Sequence, residues 1–188
     1  MIPRPRSGWL LAAAAWSAAL AAGPAPQTRW AAETPEVRIR LVARSPDQIS
    51  GFYRARRLPE PAVEALRRAC LVTVGIRNLG DRVLWLAPER WRFRTLAGRE
   101  VERLSRAHWR RLWARLGVPA GARATFGWTL LPERRDLQPD EPVGGNLTLV
   151  PPAEPFVVEA RFPTGRDGDG PPVVLRSPPL TCPEDAPA

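Results

Sequence analysis

Apolar and polar positions alternate with a period of two over much of the chain. The clearest run is 70–86. Leu71, Thr73, Gly75 and Arg77 alternate with Val72, Val74 and Ile76; Asn78, Gly80 and Asp81 then supply turn chemistry before Val83 and Trp85 resume the apolar face. Such alternation marks half-buried strands, and the segment reads as a central hairpin. The same period appears in 37–44, where Val37, Ile39, Leu41 and Ala43 alternate with arginines, and in 91–95, where Trp91 and Phe93 alternate with Arg92 and Arg94. It recurs in 123–131, with Ala124, Phe126, Trp128 and Leu130 on one face, and in 146–150 and 156–162. A last strand is expected over 173–175 and 180–182, with Pro178 and Pro179 suiting an edge.

Three segments carry helical spacing instead. Ser45-Pro46-Asp47-Gln48 is an N-terminal capping signature, and Ile49, Phe52 and Tyr53 share one face of the predicted helix 46–56. A second helix, 61–69, carries Val63, Leu66 and Ala69, and the pair is expected to cover one end of a sandwich. The third is capped by Ser105 and ended by Gly117 and Pro119, with Trp109, Leu112, Trp113 and Leu116 as an apolar stripe. Mainly β architecture follows: an antiparallel sandwich of about seven strands with three short inserted helices. The 23 Pro and 14 Gly suit short strands and many turns.

The first 22 residues read as a signal peptide. Arg4 and Arg6 form a basic start, an apolar run extends over 9–22, and Ala19-Leu20-Ala21 offers small residues for cleavage. The run is shorter than the roughly 20 residues of a membrane span. The expected organisation is a signal peptide over 1–22, a disordered leader over 23–35, a β-sandwich domain over 36–182 and a disordered tail over 183–188. Export to a periplasmic or secreted location changes the meaning of Cys70 and Cys182, the two cysteines, which an oxidising compartment would let pair.

All 28 basic residues are arginine, and the formal charge of +9 favours anionic partners. Export argues against nucleic acid despite the interleaved arginines and aromatics of 91–95. The third helix offers the most basic surface: Arg103, Arg106, Trp109, Arg110, Arg111 and Trp113 form the candidate interaction surface for an envelope protein, an anionic surface or a membrane interface. Glu133, Asp136 and Glu141 are the alternative acid/base candidates, since paired carboxylates serve glycoside hydrolysis; the arginines beside them favour a salt-bridged loop. No cofactor is expected. His108 is the single histidine, no cysteine pair has zinc spacing, and nucleotide-binding glycine loops are missing. Asp167-Gly168-Asp169-Gly170 lacks the further acidic positions of a calcium loop and reads as a hairpin tip.

Cys70 opening one strand and Trp85 in the next resemble the immunoglobulin-like β-sandwich domains of bacterial envelopes over residues 36–182. The second cysteine departs from the antibody pattern, with Leu180 where a tyrosine would precede it. Ser45-Pro46-Asp47-Gln48 with Phe52-Tyr53, Trp128-Thr129-Leu130-Leu131-Pro132-Glu133, and Gly144-Gly145-Asn146 are similar to segments of uncharacterised secreted proteobacterial proteins. The resemblance implies a location and a fold rather than a reaction. A non-catalytic binding or scaffolding domain is the expectation, with a carbohydrate- or peptidoglycan-active enzyme and a peripheral membrane-surface protein as alternatives.

Overall fold

Two antiparallel sheets pack face to face in the computed structural model, which describes residues 26–184. The expected signal peptide and the end of the tail lie outside the described residues. One sheet has the order β1 (Arg29–Glu33), β2 (Val37–Arg44), β3 (Cys70–Asn78), β7 (Pro142–Leu149). The other has the order β5 (Arg92–Thr95), β8 (Phe156–Thr164), β4 (Leu84–Leu86), β6 (Arg135–Leu137), with β9 (Gly170–Arg176) on the opposite edge of β8. Inward positions of both sheets, including Ile39, Leu41, Val72, Val74, Phe93, Leu147, Phe156 and Phe162, make one core between the layers.

Four helices form a third layer: α1 (Pro46–Arg54), α2 (Glu60–Arg67), α3 (Arg106–Arg115) and α4 (Ala120–Thr129). They do not cap an end of the sandwich. A second apolar cluster joins Leu71 of β3 to Ile49, Tyr53, Val63, Leu66, Trp109, Trp113 and Phe126, which places the helices against the outer face of the first sheet. This explains why β3 begins with three consecutive buried residues, Cys70, Leu71 and Val72, since both of its faces are covered there.

The helix starts follow their sequence signals. The Ser45 hydroxyl accepts the Gln48 amide at 3.3 Å and the Gln48 side chain accepts the Ser45 amide at 3.3 Å, a reciprocal cap with Pro46 at the first turn. Ser45 and Ser105 each satisfy an amide that has no partner within the helix, and Gly117 takes the left-handed φ of 61° just after α3.

Several expectations require correction. The run 70–86 is not a hairpin, because β3 belongs to one sheet and β4 to the other. Asn78 makes the crossing: fully buried, it donates to Arg82 O at 2.7 Å and Leu137 O at 2.9 Å and accepts from the Gly80 amide at 3.0 Å. Of the segment 123–131, residues 123–129 are helical and belong to α4. Phe126 and Leu130, four residues apart, are buried while Trp128 is 86% exposed, which a single strand face cannot produce. Strand β1 lies within the stretch read as a disordered leader; its Ala-rich pattern is a poor strand signal, and its register comes from β2, with Trp30 opposite Leu41. Together with β6, these changes give nine strands and four α-helices among the described residues, in place of about seven and three.

Cys70 and Cys182 form a disulfide across a sequence separation of 112, with their Cα atoms 5.6 Å apart. The bond joins the first sheet to the C-terminal segment, whose Leu180 exchanges backbone hydrogen bonds with Phe156 at the start of β8. Among the described residues, no helix is long and apolar enough to cross a membrane.

Candidate functional site

Strand β7 alternates its side chains between the two faces of the first sheet. Val143, Leu147 and Leu149 enter the inter-sheet core, so Gly144, Asn146 and Thr148 face the helical layer. Register places Thr73 of β3 beside Asn146 and Gly75 beside Gly144 on that outer face. Helix α1 stands over one side of this floor and the C-terminal end of α4 over the other. Between them lies a cavity of about 540 Å³, lined by Arg44, Leu71, Thr73, Gly144, Gly145 and Asn146 from the sheet, Gln48, Ile49, Phe52 and Tyr53 from α1, and Trp128 and Thr129 from α4.

A chain of hydrogen bonds crosses the cavity, and donor chemistry fixes its direction. Arg44 Nε can only donate, and gives its proton to Thr73 Oγ1 at 3.0 Å. The Thr73 hydroxyl therefore donates onward to Asn146 Oδ1 at 3.0 Å, and Asn146 Nδ2 donates to the Tyr53 hydroxyl at 3.4 Å. Tyr53 then donates to Thr129 Oγ1 at 2.8 Å, and Thr129 to Phe126 O at 2.7 Å. Burial pushes the Tyr53 phenol above its ordinary pKa, against the opposing effect of the bonds to Thr129 and Asn146. It stays neutral, as the relay requires.

The rim is aromatic and cationic. Trp128 is 86% exposed, the highest value among the large exposed apolar side chains described. Phe52, 39% exposed, carries the Arg56 guanidinium 3.4 Å above its ring. Among the described residues, no carboxylate, histidine or cysteine lines the cavity. Three separated segments noted in the sequence, 45–53, 128–133 and 144–146, converge here. Sequence alone does not reveal the site, because the strand spacing of the Trp128 segment turns its ring toward a core.

The basic α3 surface is rearranged by packing. Trp109 and Trp113 are each 2% exposed and meet Phe126 edge to face in the helical layer, so neither ring can enter a membrane interface. Trp109 Nε1 donates to Thr148 Oγ1 at 2.8 Å; among the described residues, Trp113 Nε1 is buried without an acceptor. Arg106 is a structural cap: its guanidinium donates to Gly127 O at 2.8 Å, a carbonyl in the last turn of α4 that also accepts the Leu130 amide, and to Leu130 O at 2.9 Å just past the helix end. Arg103 donates to Glu133 at 2.7 Å. Of the proposed surface, Arg110 and Arg111 remain exposed.

The alternative carboxylates are also committed. Burial raises the Glu133 pKa, but the hydrogen bonds from Arg103 and the Arg106 amide outweigh it and hold the group below the ordinary range. Glu141 is lowered by the Gln138 amide and by Arg135, with which it pairs. Asp136 is exposed and accepts from the Gln138 side chain at 2.8 Å. The two lowered carboxylates are held ionised, the opposite of what a general acid needs. Asn146, which opens the glycosylation-type tripeptide Asn146-Leu147-Thr148, is buried inside the relay, and no group of acidic, histidine or cysteine residues suited to a metal occurs among the described residues.

No protein-family model matches the chain, and no curated protein matches it. Among solved structures, the chain is similar to ycdA of Bacillus subtilis strain 168, provisionally called a lipoprotein, at 12% sequence identity and a TM-score of 0.40. That likeness covers 82% of this chain and 39% of the other, so this chain spans about two fifths of the protein it matches.

Proposed function

We propose that the protein is an exported, non-catalytic binding domain of the bacterial envelope and that its ligand occupies the cavity between α1, α4 and the outer face of the first sheet. One observation carries the reading: Trp128 stands in solvent at 86% exposure on the rim of a cavity whose polar floor is already ordered by the Arg44-to-Thr129 relay. A large exposed indole is expensive for a free protein and useful at an interface. The floor's hydroxyls are committed to the relay, Tyr53 is held neutral, and no carboxylate is at hand to move a proton. That supports binding rather than turnover. The signal over 1–22, a periplasmic or secreted location, an immunoglobulin-like relationship and kinship with secreted proteobacterial proteins belong to the same proposal, supported by the Cys70–Cys182 disulfide. Envelope components are its expected partners.

Site-specific photocrosslinking in the native envelope tests it. A photoreactive phenylalanine analogue at Phe52 should capture an envelope component, and the same analogue at Leu96, which is 59% exposed outside the cavity lining, should not. Equal yields at both positions, or none at Phe52, would overturn the reading. Intact mass of the exported protein tests the leader: loss of the first 21 or 22 residues is expected.

A further inference from the structure

Resting on that reading, we infer that the cavity binds a carboxylated saccharide. Two glycines motivate the choice. Gly75 and Gly144 are cross-strand neighbours in the middle of β3 and β7. Neither has a positive φ, and neither is sterically required: a Cβ at Gly75 meets nothing within 4 Å, and one at Gly144 comes no closer than 3.4 Å to Val74 O. Gly145 differs, since its Cβ would fall 2.5 Å from Leu131 N. Glycine weakens a strand interior, and where no steric demand exists it marks a surface kept bare for close approach. By strand alternation Gly75 and Gly144 face outward, so together they leave a flat patch of exposed backbone continuous with the cavity floor.

The remaining chemistry selects the ligand. A pyranose ring presents C–H bonds on a face and hydroxyls around its edge; the face packs on a flat indole such as Trp128, and the edge meets polar groups on a bare floor. The relay consumes Arg44 Nε and leaves its two terminal nitrogens, which among the described residues have no acceptor, as a fork suited to a carboxylate. Among the described residues, no acidic side chain lines the cavity to oppose an anion. A peptide added as a strand fits less well. Residues 146–149 of the β7 edge are already paired to Leu131, Leu104 and the backbone around Glu102, and Pro142 has no N–H, which leaves Gly144 alone as a docking rung.

The test compares two disaccharides that differ at one group, N-acetylglucosaminyl-N-acetylmuramic acid and its neutral counterpart chitobiose, by calorimetric titration of the exported protein. The acid should bind about tenfold more tightly, with the difference shrinking in salt and in Arg44→Gln. Trp128→Ala should weaken both by about tenfold or more. Gly144→Val should abolish binding while leaving the midpoint of denaturant unfolding equal or higher, which separates a blocked site from a damaged fold. Equal affinity for the two sugars overturns the carboxylate. Binding of neither, with Phe52-specific crosslinks still formed, overturns the saccharide and leaves the cavity's binding role standing. Binding of neither without such crosslinks removes both.

Discussion

Trp109 and Trp113 allow one substitution to be made twice in the same environment with opposite electrostatic consequences. Both rings sit at 2% exposure on one face of α3, their centroids 4.9 Å apart, and both pack on Phe126. Replacing either with phenylalanine removes the same few buried carbons, a packing loss of about 1–2 kcal/mol that cancels when the variants are compared. What remains is the indole N–H. In Trp109→Phe a bond to Thr148 Oγ1 is lost, a net cost of about 1 kcal/mol; in Trp113→Phe a buried donor without an acceptor disappears, a gain of about 1–3 kcal/mol. Trp113→Phe should therefore be the more stable variant by about 2–4 kcal/mol. For a domain of this size that corresponds to roughly 4–16 °C in Tm. Denaturant unfolding of the oxidised protein, followed by far-ultraviolet circular dichroism, measures the difference directly. Equal destabilisation, or the reverse order, would refute the assignment of an unpaired donor to Trp113 and the packing of α3 that places it.

Reducing the Cys70–Cys182 disulfide should lower stability by about 4–5 kcal/mol in the loop-entropy treatment, because the bond closes a separation of 112 residues; an unchanged urea midpoint in reductant would contradict it. Arg106→Ala should cost about 2–3 kcal/mol by uncapping α4, whereas Arg110→Ala should stay within about 0.5 kcal/mol of the parent, both read by the same unfolding assay. Glu133 has a folded pKa below its unfolded value near 4.5, so its contribution to stability is present above that pH and is lost as pH falls through the folded value. Glu133→Gln should flatten that acid limb of Tm against pH, and an identical limb in the variant would show that the Arg103 pair is not formed.

Local chemistry settled much of this protein in advance. The alternation of 37–44, the reciprocal cap at Ser45 and Gln48, and the Ser105 start of α3 are set by side chains a few residues apart, and each element appears where its pattern places it. The two cysteines were legible as a pair because, with only two in the sequence, an oxidising compartment leaves neither another partner. Alternation could not decide 123–131, where Ala124, Phe126, Trp128 and Leu130 occupy every second position; the helix is stabilised by contacts from elsewhere, with Phe126 packed among Tyr53, Trp109 and Trp113 and its end capped by Arg106. Nor could it say that a chain turning at Asn78 crosses to another sheet, since that depends on a buried amide reaching Leu137 from 59 positions away. The candidate site is the extreme case. Its cavity joins Arg44, Tyr53, Trp128 and Asn146, residues from two strands and two helices whose proximity exists only once the helices lie on the sheet. Sequence determines which faces must be buried, because burial follows composition and period; tertiary packing determines which of the remaining faces meet.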